Sequence, residues 1–550
     1  MLRLLLPLLL GCSDKGDSAL PGDDTTPGTG ATLESTPLRA CADPGARATE
    51  GPMAPWSLGP AWAAQPQADD MEWQYTGGGF AVADLNGDGT PDVYLPSAGA
   101  SQLLLSDGDT WVDGSGGLPP GESADLGVGA VAADVDDDGD LDLYTLVLHG
   151  QNRLLLNDGT GAFTDGTAAA GLATGAWDTT HATFADVDGD GVLDLLVANH
   201  FEGPHLGEAI LSGDFAPAHD NELFLGDGAG GFTDATASLP EAFRTGYAFA
   251  VMAEDLDGDG VDELLSVNDF GPFWEPNTVA RRADGGWSVD ATLTGLDLQI
   301  YGMGGSAGDL NGDGWPDLVM TSWMEVVLLE SDGRGGWFRS GAARGVTMSE
   351  RQSTAWGAVF ADMDNDADLD ISMAMGPLVM PPEVAEEQAE ARGLVTLQDQ
   401  PDALFVQGDD GGFTDEAAAW GVAHEGITRG VLPVDLDGDG WLDLIRRGLD
   451  GDAVAWRGRC GADGALVVRL AQPAPNRDAV GASIEVTAGG RTQRRRIRAG
   501  GIGHAVGGPL EAHFGLGSAT TVDIRLTWPD GAVDTFEGVA PGRVSIRRPG

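Results

Sequence analysis

Apolar runs of four to eight residues, cut by turns rich in Gly, Asp and Asn, recur along most of the chain. Phe80-Ala-Val-Ala, Gly129-Ala-Val-Ala-Ala and Leu141-Asp-Leu-Tyr-Thr-Leu-Val-Leu are examples. Runs of this length between turn signals predict short buried strands rather than helices. Each unit repeats one order: an apolar strand, a tight acidic loop, a second apolar strand, then a hairpin. Asn152 to Asp165 shows that hairpin, with Asn157-Asp-Gly-Thr-Gly161 as its turn. It recurs at Asn221 to Asp234 and, less regularly, at Asn277 to Asp290 and Asp402 to Asp415.

The acidic loops begin at Asp84, Asp134, Asp186, Asp255, Asp309, Asp362 and Asp435, each reading Asp-x-Asp/Asn-x-Asp-Gly-x-x-Asp with small departures. Successive starts are 50, 52, 69, 54, 53 and 73 residues apart, room for one four-stranded sheet per repeat. The expected fold class is therefore all-β, a seven-bladed β-propeller with calcium-binding loops followed by a small β-rich C-terminal domain. The last blade runs out of sequence near Ala453 to Trp456. Its outer strand is expected from residues 41–75, which would join the two ends of the repeat region.

In each loop, carboxylates at the first, third and fifth positions turn inward, a glycine allows the sharp turn, and the ninth residue closes the shell. Oxygen-only donors without thiol or imidazole favour Ca²⁺ over transition metals. The expected ligands are Asp84, Asn86, Asp88 and Asp92; Asp134, Asp136, Asp138 and Asp142; Asp186, Asp188, Asp190 and Asp194; and Asp309, Asn311, Asp313 and Asp317. Asp435, Asp437, Asp439 and Asp443 form a further set. The fourth loop has Asp255, Asp257 and Asp259 but closes on Glu263. The sixth has Asp362, Asp364, Asp366 and Asp370, with Ala367 where glycine is expected. About seven calcium sites follow from this reading.

Composition narrows the function. With 29 basic against 87 acidic residues the formal charge is −58, which repels nucleic acid and anionic membranes. No nucleic-acid partner is expected. Residues 451–550 differ, with 13 arginines against 9 acidic residues, a net of +4 that leaves −62 on residues 1–450. The cluster Arg491, Arg494, Arg495, Arg496 and Arg498 is expected to be a solvated edge strand or a face docked on the acidic domain.

The first twelve residues, with Leu9-Leu10-Gly11-Cys12, resemble a bacterial lipoprotein signal with Cys12 as the lipidated residue. The expected domains are 1–12 signal, 13–40 flexible tether, 41–455 propeller and 456–550 β domain. Membrane contact would run through the Cys12 lipid alone, placing the protein at the bacterial cell envelope or outside the cell. Cys41 and Cys460 flank the repeats and are expected to pair as a disulfide.

No hydrolase, metalloprotease, P-loop or dinucleotide signature is present. His200, Glu202 and His205 are the weak catalytic candidates, an insertion after the third blade being the plainer reading. Asn268-Asp269-Phe-Gly-Pro272 and Met375-Gly376-Pro377 end second strands and are expected to line a shared face. An acidic helix is expected over 381–397.

The repeats, with Asn-x-Leu-x-x-x-Asp-Gly-x-Gly-x-Phe-Thr-Asp at Asn152 to Asp165 and Asn221 to Asp234 and looser copies elsewhere, resemble FG-GAP/VCBS propeller repeats. The last domain resembles the ASPIC/UnbV domain through Arg477-Asp-Ala-Val-Gly481, Gly500-Gly501-Ile502-Gly503, His513-Phe-Gly-Leu-Gly517 and Trp528-Pro-Asp-Gly531. The resemblance implies a secreted calcium-binding propeller, in a family mostly without assigned activity. The expected function is a tethered binding or interaction module, monomeric, with a protein or glycan ligand. The alternative is a secreted lyase-like or hydrolase-like enzyme acting on a carbohydrate or small metabolite from a propeller face.

Overall fold

The computed structural model describes residues 28–41, 53–56 and 76–550, apart from 98, 109, 121–125, 176, 201–217, 284–285, 324, 349–353, 378–399 and 450–452. Cys12, Glu202, His205 and the expected helix at 381–397 therefore lie outside the described residues.

Among the described residues of the repeat region the strands pair into antiparallel groups in chain order, each beginning with the strand that enters an acidic loop. In the fifth, Gly302–Gly308 pairs with Asp317–Ser322, then Glu325–Ser331, then Trp337–Arg339. The second and third groups join through Trp177↔Gly150 and Asp178↔Leu148. In the seventh, Thr428–Val434, Asp443–Gly448 and Ala453–Arg457 take their outer strand from Ala54–Trp56 near the start of the chain. The expected donation from residues 41–75 is thus present.

Each group touches the next. Gly79 N donates to Val128 O at 2.7 Å, Thr180 Oγ1 to Ala248 O at 2.7 Å, and Thr428 Oγ1 to Asp402 Oδ2 at 3.1 Å. The seventh returns to the first through the buried Arg447, which donates to Gly79 O and Pro96 O. The result is a propeller-like ring whose entering strands lie innermost. Those strands are rich in Gly and Ala because their backbones crowd the axis. Apolar clusters fill the spaces between neighbouring groups, as with Leu318, Met320, Leu265 and Val267 between the fourth and fifth.

The C-terminal domain holds two four-stranded sheets, Thr32–Thr36/Gly542–Arg547/Gly464–Ala471/Glu511–Gly517 and Arg491–Arg496/Ser483–Ala488/Val522–Thr527/Val533–Val539. Leu466, Val468, Phe514 and Ile546 of the first share a core with Ile484, Val486, Ile524 and Leu526 of the second. Two expected boundaries shift. Residues 32–36 are not a free tether: they pair antiparallel with Gly542–Arg547, because that strand would otherwise present an open edge of backbone donors and acceptors. The strand expected to end the repeats runs on to Arg457, and the next begins at Gly464. Cys41 and Cys460 are disulfide-bonded, with their Cα atoms 6.1 Å apart and 419 residues between them in sequence.

Candidate cation sites and the domain that covers them

The third loop shows how the sequence folds locally. Asp186 Oδ1 accepts from Gly189 N at 2.7 Å and Asp190 N at 3.0 Å, and Oδ2 accepts from Gly191 N at 2.9 Å. Asp188 Oδ1 accepts from Asp190 N at 3.1 Å, and Asp190 Oδ1 from Val192 N at 2.9 Å. The turn needs left-handed backbone twice, at Gly189 (φ 73°) and Gly191 (φ 88°). In the sixth loop those positions are Asn365 (φ 61°) and Ala367 (φ 79°), so Ala367 adopts the strained conformation expected from the sequence.

The closing aspartate has two attachments. Asp194 Oδ2 accepts from Val187 N at 3.0 Å, within the loop, and Oδ1 from Gly226 N at 3.0 Å, on the third strand. Asp92, Asp142, Asp317, Asp370 and Asp443 tie the third strand in the same way, through Ser106, Asn157, Ser331, Gln407 and Gly458. These buried side chains hold each group together as well as facing the loop.

The carboxylates converge. Oxygens of Asp134, Asp136 and Asp142 lie within 4.8 Å of one another, as do those of Asp186, Asp188 and Asp194, and of Asp362, Asp364 and Asp370. In the fourth loop the convergent set is Asp255, Asp257 and Asp259. Burial, reinforced by neighbouring carboxylates, pushes Asp92 and Asp194 up to about 7 and Asp142 and Asp317 to about 8. Asp370 and Asp443 are raised well above the ordinary range for the same reasons. The buried Asp364 Oδ1 accepts no hydrogen bond. An oxygen-only donor set with an unsatisfied buried carboxylate oxygen fits a hard cation such as Ca²⁺.

The C-terminal domain lies over this loop-bearing side, a relationship that sequence reasoning named only as one alternative for the arginine run. Arg469 approaches Asp84 at 4.0 Å, Arg477 approaches Asp134 at 3.8 Å, and Arg543 approaches Asp435 at 3.3 Å. Arg491 reaches Asp368 at 3.4 Å, Arg494 donates to Gly314 O, and Arg496 pairs with Asp262. The +4 balance of residues 451–550 was the sequence signal for this docking.

A second feature was missed. The segment around Gly500-Gly501-Ile502-Gly503 enters the axis of the ring. Ala499–Gly500 pairs with Phe184 and Thr183, Gly503 and Gly305 exchange backbone hydrogen bonds of 2.8 and 3.1 Å, and Val506–Gly507 pairs in parallel with Phe80–Ala81. The buried His504 lies 2.9 Å from Met303 O through Nδ1 and 3.3 Å from Thr76 O through Nε2. Burial pushes its pKa down to about 4, against the two carbonyl oxygens that face the ring nitrogens. The glycines that mark the C-terminal family motif are thus the ones that thread the centre of the repeat domain.

His200 is buried among Tyr247, Phe249 and Phe270, with Nε2 3.5 Å from Asp269 Oδ2. Its surroundings are those of a packed ring. Asp269 ends its strand at the end opposite the acidic loop, and beyond it Phe273 and Trp274 are 72% and 48% exposed.

An FG-GAP-like repeat model matches residues 84–145, 134–197 and 309–372, and an ASPIC and UnbV model matches residues 472–548. Human cartilage acidic protein 1 is 26% identical over 371 residues, covering 66% of this chain and 51% of the relative. The Xenopus tropicalis protein of that name is 26% identical over 282 residues, covering 49% and 40%. The chain therefore spans about half or less of the length of these relatives. Among solved structures, an Agrocybe aegerita lectin that recognises non-reducing terminal N-acetylglucosamine aligns at 17% identity and a TM-score of 0.36, over 62% of this chain and 80% of that one. FG-GAP-like repeats at residues 84–197 and 309–372 and an ASPIC and UnbV domain at 472–548 are thus found in this chain, which is similar to cartilage acidic protein 1.

Proposed function

We propose that this protein is a calcium-rigidified interaction module, held at the bacterial envelope through a lipid on Cys12. The observation that carries the reading is the position of the C-terminal domain. Its arginines reach the acidic loops and its glycine-rich segment fills the axis, so the loops act as an internal joint rather than a display surface. Calcium, when bound, supplies positive charge where buried carboxylates crowd each turn. Asp194 and its counterparts then hold the third strand to the loop while ionised.

The ends of the ring opposite the loops are left for a protein or glycan ligand. There Phe273 and Trp274 stand exposed beside Tyr301 and Tyr247, with ring centroids 6.3 and 5.8 Å apart. Exposed aromatic groups of this kind mark contact surfaces. Scanning calorimetry of the purified full chain tests the calcium reading. A melting temperature that falls in EDTA and is restored by Ca²⁺ supports it, and a curve indifferent to both rejects it.

A further inference from the structure

The seven loops of this chain are internal copies, so a departure in one can be judged against the rest. On the third strand of each group, one residue follows the ladder partner of the position after the closing acid. By register these residues are Leu105, Leu156, Leu225, Arg281, Glu330, Val406 and Arg457. The fourth group alone combines an arginine there with glutamate, Glu263, as the closing acid.

The two departures meet in space. Arg281 Nη2 pairs with Asp257 Oδ2 and lies 2.9 Å from Asp259 Oδ2, while Nε lies 3.7 Å from Glu263 Oε1. Glu263 Oε2 accepts from Leu256 N at 3.0 Å, the bond that closing aspartates make within other loops. Its longer arm thus keeps the loop bond and leaves its other oxygen facing the guanidinium. Arg457, the other arginine of the series, makes only a 3.8 Å approach to Asp437 and lies over the Trp56 ring at 4.2 Å.

We propose that Arg281 is the resident cation of the fourth loop, which therefore takes no divalent metal. A guanidinium already spread across Asp257, Asp259 and Glu263 offsets the charge a bound ion would offset, and its planar fork fills the space between those carboxylates. A divalent ion entering the loop would have to displace it and would face a second positive charge nearby. The inference rests on the calcium reading for the other loops, yet it is decided by a difference between two proteins and not by the total.

The experiment counts bound calcium per chain, by equilibrium dialysis with elemental analysis, in the wild-type full-length protein and in Arg281→Leu/Glu263→Asp. That double variant gives the fourth loop the residues of the third, Leu225 and Asp194. One additional ion per chain in the variant is the expected result, and an equal count at any wild-type number above zero overturns the proposal. A wild-type count of zero would instead reject the calcium reading. Should the variant fail to fold, terbium-soaked crystals of the wild-type protein decide the matter. An anomalous peak among Asp255, Asp257 and Asp259 overturns the proposal, and peaks confined to other loops support it.

Discussion

Arg498 of the C-terminal domain and Glu254 of the fourth sheet group are joined by a 2.9 Å bond from Nε to Oε2. Arg496 approaches the other oxygen of Glu254 at 3.7 Å. Burial alone would raise the Glu254 carboxyl, but the two guanidiniums outweigh it and hold the group below the usual glutamate range. This part of the joint between the domains is therefore ionic and largely buried. Buried pairs of this kind are costly to break from one side, because the partner left behind stays charged and desolvated.

Arg498→Ala should accordingly lower stability by about 3 kcal/mol at neutral pH, the low end for a broken buried pair because Arg496 remains. A depressed carboxyl contributes stability above its unfolded pKa and loses it as pH falls through the folded value. The gap between variant and wild type should therefore narrow as the pH is taken below that of ordinary glutamates, about 4. Urea unfolding at pH 7 and pH 3.5 checks both parts. An equal gap at the two pH values would show that Arg498 acts by packing and not by charge.

The loop acids carry the opposite sign. Asp92, Asp142, Asp194 and Asp317 are raised to about 7 or 8 from an ordinary value of 3.8, so the folded metal-free chain binds protons that the unfolded chain has released. Its stability is greatest below the unfolded value and declines as pH rises from about 4 to 8. In EDTA the melting temperature should thus be lower at pH 8 than at pH 5.5, and saturating Ca²⁺ should remove or reverse that slope. Calcium binding near pH 6.5 should also release protons, measurable in weakly buffered solution. A metal-free melt that rises with pH over this window would contradict the burial assigned to these carboxylates.

Ala367 occupies a left-handed turn position, φ 79°, that the other six loops give to glycine. A non-glycine residue there costs roughly 1–2 kcal/mol, less what glycine loses by greater freedom in the unfolded chain. Ala367→Gly should therefore raise stability by about 0.5–1 kcal/mol. The reverse change at the matching place in the seventh loop, Gly440→Ala, meets both φ 82° and Leu38 Cδ1 at 2.5 Å from the added Cβ. It should destabilise. Chemical denaturation of the two variants checks the pair of signs.

What could be read from the chain divides along sequence distance. The acidic loops are local, each complete in nine residues, and their turn glycines and closing aspartates stand where the spacing put them. The donated strand Ala54–Trp56 was legible as a deficit, since the seventh repeat ran out of residues. Thr32–Thr36 was not, because four of its five side chains are exposed and backbone pairing, which has no residue signature, holds it in place. Pairing of Ala499 with Phe184 spans over three hundred residues, and nothing in a glycine-rich run says which backbone it will approach. The arginine run showed its charge but not the loops it faces.

That central segment gives the last prediction. Ala505 O lies 2.4 Å from the Cβ that a side chain at Gly129 would carry, and 2.1 Å from one at Gly79. Both distances are far inside contact, and the neighbouring atom is backbone that is itself held by pairing at Val506–Gly507. A side chain at Gly129 must push the segment off the axis, since the innermost strands are themselves closed into a ring and have no room to retreat. Gly129→Val should leave the repeats folded but unseat residues 499–507. Limited proteolysis would then cut within that segment at rates at least tenfold above wild type. Gly116→Val is the control, at a glycine that has no atom within 4 Å of its added Cβ and no left-handed backbone, and should leave protection of the segment unchanged. If Gly129→Val keeps the wild-type cleavage pattern and melting temperature, the segment does not occupy the axis in solution.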